Sequence, residues 1–252
     1  MKIIFPEITN NSIAQEAIKA FPNVEFLPAD NLEQAAKALA NNEADALISG
    51  IDYPTRDVIL ACKTYTSLKS QYFSSSFICQ KGDQILALAD GGVNKIPNQD
   101  QLYSIVEDTA KTYQAFTGEQ PIIAMLSYST NGSGGKNNPD LEKIHFVINK
   151  IRETHPEWLI DGEMQLDAAI DPEVSHKKYP DSKVEGKANV LITPDLNSGN
   201  ILYKSLERFG GYTCAGPIIQ GFQIPLADLS RGSTVEDVKL TLSVIIKQLE
   251  RN

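Results

Sequence analysis

The chain has 252 residues, 42% hydrophobic and 22% charged, the make-up of a globular protein with room for one large domain or two small ones. Its net charge of −9 argues against a general binder of nucleic acid or anionic membrane. No run reaches the ~18 apolar residues that cross a bilayer, and Pro6 and Glu7 cut short any leader-like stretch after Met1. Cys62, Cys79 and Cys214 form no paired or CxxC spacing, which suits a reducing cytoplasm, and Cys214 reads as a small core residue.

In chain order, residues 2–5 read as a short apolar strand, 13–21 as a helix, 24–27 as a strand, 31–40 as an Ala-rich helix and 44–49 as a third strand. The loop 50–57 leads into another helix. This alternation predicts a parallel sheet covered by helices. Near residue 70 the pattern changes: residues 72–80 and 84–89 are strands joined by Lys81-Gly82-Asp83, a hairpin-type turn. A helix over 99–116, a strand over 121–126, a polar Gly-rich run over 131–138 and a helix over 139–154 follow. Then come a strand over 190–193, a helix from Asn197 through Arg208, a strand over 213–219 and a helix from Thr234 toward Gln248.

Ser230 and Arg231 precede the start of that last helix. A helix N-terminus offers unpaired N–H donors and the positive end of the macrodipole, and Arg231 adds a planar fork of donors matched to phosphate. Gly232 lets the backbone come close, and Asp237 in the first turn can accept a proton from a nucleophile. Ser233-x-x-Glu236 and Thr234-x-x-Asp237 also fit capping boxes, so capping and catalysis both stay open for Asp237. Ser127-Tyr-Ser-Thr-Asn-Gly-Ser after a strand can form a phosphate-cradling nest or a plain loop; its candidates are Ser127, Ser129, Thr130, Asn131, Gly132 and Ser133. Asn197 and Asn200 sit at a strand-to-helix junction, where capping is the first reading.

Asp161, Glu163 and Asp167 lack diagnostic metal spacing, so solvated or capping roles are expected and no metal site is predicted. His145, His155 and His176 read as structural or exposed. There is no GxSxG, Walker loop or HExxH.

Asp228-Leu-Ser-Arg-Gly followed by Glu236-Asp237 resembles the C-terminal signature of the phosphate acetyltransferase (phosphotransacetylase) and phosphate butyryltransferase family. Ala124-Met-Leu-Ser-Tyr-Ser-Thr, Asp161-Gly-Glu-Met-Gln-Leu-Asp-Ala-Ala and the stretch from Gly186 to Asn200 are similar to further blocks, in the family's order. The likeness runs from about Glu43 to Asp237, with the N-terminal region shortened relative to the family.

That resemblance implies an α/β, two-domain, three-layer sandwich of the isocitrate/isopropylmalate dehydrogenase type. The first domain would comprise residues 1–70 plus 222–252, the second 71–221, with an interdomain cleft for the substrate. It implies a cytoplasmic homodimer that transfers acetyl reversibly between acetyl phosphate and coenzyme A, with coenzyme A as co-substrate and no permanently bound cofactor. Asp237 would take the thiol proton, Arg231 would hold the phosphate and Ser230 would hydrogen-bond the developing charge. A free Asp near pKa ~3.9 and a thiol near ~8.5 are mismatched by roughly 6 kcal/mol, so nearby cations or burial must close the gap. The chain departs from the family where an Arg expected after Asp57 is Leu60, with Arg56 as a stand-in for substrate binding. Basic residues are also replaced by Asn131, with Lys136 nearby, and by Ile224. The alternatives are a different acyl specificity, a degenerate relative that binds acyl phosphate or a partner with little turnover, and a fold-sharing dehydrogenase.

Overall fold

The computed structural model describes residues 1–135 and 137–251; Lys136 lies outside the described residues. Its elements are β1 (Lys2–Ile4), a 3-10 turn (Pro6–Thr9), α1 (Ser12–Ile18), β2 (Glu25–Leu27), α2 (Leu32–Ala40), β3 (Ala46–Ser49) and α3 (Thr55–Tyr65). There follow β4 (Ser74–Lys81), β5 (Gln84–Ala89), α4 (Gln99–Thr117), β6 (Ile122–Leu126), α5 (Pro139–Thr154), β7 (Leu159–Met164), α6 (Leu166–Ile170) and α7 (Pro172–Lys178). The chain ends with β8 (Val190–Ile192), α8 (Leu196–Arg208), β9 (Thr213–Gln220), β10 (Leu226–Asp228) and α9 (Val235–Arg251).

All ten strands among the described residues join one sheet in the order β2-β1-β3-β10-β9-β4-β5-β8-β6-β7. Residues 1–70 and 222–252 supply the first four of these, and residues 71–221 the other six. β1, β2, β3 and β10 run parallel, as do β5, β8, β6 and β7. Three antiparallel steps, β10/β9, β9/β4 and β4/β5, separate the two sets, so they point in opposite directions. Ala227, Ile218, Ser76 and Ala89 lie in register across the middle, which brings the C-terminal ends of β10 and β5 to the same zone.

Side chains alternate between two apolar layers. Ile3, Ile48, Ile78, Ile123 and Val190 share a core with Leu102 of α4, Ile144 of α5 and Leu242 of α9. Ile4, Leu47 and Leu226 pack with Leu39 of α2 and Cys62 of α3, and Phe77, Leu88 and Tyr203 of α8 form a further cluster. Fully burying each such side chain contributes roughly 1.5–3 kcal/mol. The helices are bounded by the residues that satisfy orphan amides. Asn98 and Gln101 form a capping box on α4, and Gly118, at φ 81°, ends that helix in the left-handed conformation. The predicted hairpin is present, with Gly82 at φ 58° in its turn.

Two strands lie outside the predicted elements: residues 159–164 form β7 and residues 226–228 form β10. Asp161 and Glu163 are not solvated: they are 3% and 1% exposed. Asp161 accepts from Arg152, Tyr179 and the Lys183 amide, while Asp167 is exposed and pairs with Lys178 at 2.6 Å. Among the described residues no group of three or more His, Cys, Asp and Glu side chains is placed to hold a metal ion, and no helix is long and apolar enough to cross a membrane.

Candidate active site

A cavity of about 440 Å³ opens on the α3/α8 face, where the ends of β3, β10 and β5 meet. Its walls come from separate elements. Gly50, Tyr53 and Thr55 follow β3; Asp228, Ser230 and Arg231 follow β10; Gly91 and Gly92 follow β5; Asn200, Tyr203 and Lys204 lie on α8. Local chemistry fixes each wall. Asp90 accepts from the amides of Gly92, Val93 and Asn94, which folds the chain after β5 into a tight turn. Asn200 donates to the Gly91 carbonyl at 3.1 Å, and Tyr203 stacks on Phe77 at 3.8 Å between centroids. Gly199 lets α8 approach: a side chain there would run into the Asp90 carbonyl.

Ser230 and Arg231 lie where the chain crosses from β10 to α9. The arginines paired with acids among the described residues are Arg152 and Arg208; Arg231 is exposed and is not one of them. Arg208 reaches to within 3.7 Å of where a side chain on Gly232 would begin, so it neighbours the same turn. Asn200, Lys204 and Arg208 fall at i, i+4 and i+8 on α8, one face of the helix. That spacing is visible in the sequence and points to the two basic residues that motif matching passed over.

Asp237 lies beyond the cavity lining. α9 covers the sheet face opposite the cavity, and Asp237, 6% exposed, sits in its first turn. Oδ2 accepts from the Thr234 amide at 2.8 Å and hydroxyl at 2.7 Å, the Asp237 amide returns a bond to Thr234 Oγ1, and Oδ1 accepts from the Cys214 amide at 3.3 Å. This is the Thr234-x-x-Asp237 capping box, with a strand amide added.

The 127–133 loop leaves β6 at the same end of the sheet as Asp90 and Thr193, and none of its residues lines the cavity. The loop does bind an anion, an internal one: Ser129 Oγ and the Gly132 amide each donate to Glu163 Oε1 at 2.7 Å, and His145 meets Oε2 at 2.5 Å. Burial alone would raise Glu163, but these donors hold it below the usual carboxylate range. Thr130 Oγ1 accepts from the Gln165 amide and Ser133 Oγ from the Thr130 amide; Ser127, Asn131 and Gly132 reach the surface. Asn197 is exposed on α8, where Asp195 is the N-cap. Arg56 is exposed beside Thr55 and does not line the cavity; Leu60 is 55% exposed on the same helix. Ile224 lines a different cavity, with Lys69 and Asp108. His155 stacks on Trp158, and His176 is exposed.

Asp228, the first residue of the Asp228-Leu-Ser-Arg-Gly motif, is fully buried at the cavity floor. Burial pushes its carboxyl up to about 7, Thr55 pulling down and the charge of Glu7 adding to the rise.

Lys204 and Arg231 line one crevice of this layered α/β fold, the kind of concave site at which such folds hold small ligands. The family described as "Phosphate acetyl/butaryl transferase" matches residues 2–246. The phosphate acetyltransferase of Treponema pallidum is 37% identical over 230 residues, covering 87% of this chain and 68% of that protein. The structure of a phosphotransacetylase from Streptococcus pyogenes superposes with a TM-score of 0.89 at 28% identity, covering 100% of this chain and 94% of that one. A 4-hydroxythreonine-4-phosphate dehydrogenase from Burkholderia phymatum shares the fold alone, with a TM-score of 0.53 at 11% identity and coverage of 98% and 87%. The chain belongs to the phosphate acetyl/butyryl transferase family of acyltransferases.

Proposed function

We propose that the chain catalyses reversible acetyl transfer between acetyl phosphate and coenzyme A, with coenzyme A as a free co-substrate. The observation that carries this reading is the placement of Ser230, Arg231, Asn200 and Lys204 around one cavity in a chain of this family. Arg231 and Lys204 neutralise the phosphate oxygens, and Ser230 donates to the oxygen on which charge develops. The carbonyl carbon of acetyl phosphate is attacked by the thiolate of coenzyme A; the carbon–oxygen bond to phosphate breaks, and phosphate leaves with the electron pair. Asp237 lies outside the cavity lining, so it takes the thiol proton only when the first turn of α9 opens and frees its carboxylate from the capping box toward the thiol. Catalytic hydrogen bonds commonly form only in the substrate complex. Arg208 and the Ser127–Ser133 loop, with Asn197 and Arg56, meet more distant parts of coenzyme A. Residues 1–70 with 222–252 and residues 71–221 act as the two domains that frame the crevice. The protein works in the cytoplasm, where its three buried free cysteines stay reduced, as the homodimer that the family likeness implies.

A second reading has one observation in its favour. The Asp237 carboxylate already accepts three hydrogen bonds, the state of a relative that binds acyl phosphate and turns it over poorly. Thioester formation from acetyl phosphate and coenzyme A separates the two. The proposal expects turnover that falls at least about a hundredfold in Asp237→Asn, the size of a general-base contribution; wild-type turnover no greater than that variant's favours the second reading.

A further inference from the structure

The cavity floor holds a carboxyl that the acyl-transfer scheme does not use. Asp228 ends β10, where it lies beside Ser49 in register and lines the cavity with Ser230 and Arg231. Its Oδ2 accepts from Thr55 Oγ1 at 2.5 Å, while Oδ1 is buried and has no hydrogen-bond partner among the described residues. Gly50 stands between this carboxyl and a second buried acid. The Gly50 amide donates to Glu7 Oε1 at 2.7 Å, and a side chain on Gly50, at φ 115°, would run into Asp228 Oδ1 and the Leu229 backbone.

The two acids are served unequally. Glu7, 3% exposed, receives the Gly50 amide, and both of its oxygens lie 3.0 Å from Ser49 Oγ. Asp228 receives one hydroxyl and keeps a bare oxygen in a low-dielectric pocket. A bare buried carboxylate oxygen is costly, and a proton on it removes most of that cost. Arg231, exposed, and Lys204 line the same cavity, and neither forms an ion pair with this group.

We propose that Asp228 is a positioning residue whose carboxyl stays protonated while an oxyanion occupies the cleft, and whose ionisation weakens that oxyanion's hold. The proposal rests on the Ser230–Arg231 turn being the phosphate seat. A second negative charge on the floor of the same cavity repels the ligand, and the coupling is reciprocal: a bound oxyanion raises the carboxyl's proton affinity by the factor that ionisation lowers the oxyanion's. The other groups facing Asp228 are Glu7 on the 3-10 turn, Tyr53 ahead of α3, Cys62 on α3, Lys204 on α8 and Arg231. Burial raises Tyr53, and burial with the Asp228 charge pushes Cys62 up to about 12, so both keep their protons through neutral pH. No histidine lines the cavity among the described residues.

Calorimetric titration of the full chain with sulfate tests this, because sulfate is a dianion throughout the neutral range and its binding needs no turnover. Wild-type affinity should weaken about tenfold between pH 6.5 and pH 8.5. Asp228→Asn, isosteric and neutral, should bind sulfate at both pH values as the wild type does at pH 6.5. Thr55→Val removes the donor that favours the charged form, so its weakening should begin at higher pH; that variant decides the matter if Asp228→Asn does not fold. Equal wild-type affinity at the two pH values, or the same decline in Asp228→Asn, overturns the role of Asp228 and leaves the phosphate seat standing. Absence of sulfate binding at pH 6.5 overturns both.

Discussion

A carboxyl that keeps its proton when folded makes the fold less stable once the solution demands that it ionise. The folded value for Asp228 is raised from 3.8 to about 7, so the native state binds more protons than the unfolded chain across that window. Its contribution is fullest below the lower value and is lost as pH rises through the upper one, a swing of about 4 kcal/mol. Asp228→Asn carries no such burden. Urea unfolding should show the variant more stable than wild type at pH 8 and nearly equal to it at pH 4; a variant less stable at pH 8 would contradict the account of the buried pair. Nothing local in Leu226-Ala-Asp-Leu-Ser announces this behaviour. It arises because β3 brings Gly50 and Glu7 against the end of β10, an approach set by tertiary pairing.

At the level of elements, α9 shows how one residue can serve two ends. Thr234 and Asp237 cap the helix reciprocally, and the Thr234 hydroxyl is also one of three donors that hold the Asp237 carboxylate. Thr234→Ala should lower stability by about 1 kcal/mol, the usual cost of a lost N-cap, as read from the urea midpoint at unchanged slope; an unchanged midpoint would mean that Asp237 is held chiefly from β9. The long, strongly patterned elements were legible: α4, α5 and the β4/β5 hairpin fall within one or two residues of the ranges read from periodicity and turn chemistry. β10 was not. It has three residues, follows Pro225 and ends in an acid, and it is a strand only because β3 and β9 lie on either side of it. β7 was hidden for a related reason. Its Asp161 and Glu163 read as surface acids until Arg152, Ser129 and the Gly132 amide, supplied from elsewhere in the chain, satisfy them inside.

For the whole molecule, the decisive feature is the reversal of strand direction across β9 and β4, which brings strand ends from both halves to one crevice. Sequence motifs located Ser230, Arg231 and Asn200 there, because the family's blocks occur in order. They did not distinguish residues that line the cavity from those, such as Ser129 and Asp237, whose polar atoms are taken up by internal partners. Local cations also explain how a chain of net charge −9 takes an anion: Arg231, Lys204 and Arg208 gather at one rim, and more distant acids are screened within about 8 Å. The central claim is that this rim seats the transferred phosphate. A crystal structure with acetyl phosphate or inorganic phosphate soaked in tests it most directly: the account predicts phosphate density within hydrogen-bond reach of Arg231 and Ser230. Phosphate held at another site, with that turn empty, would contradict it.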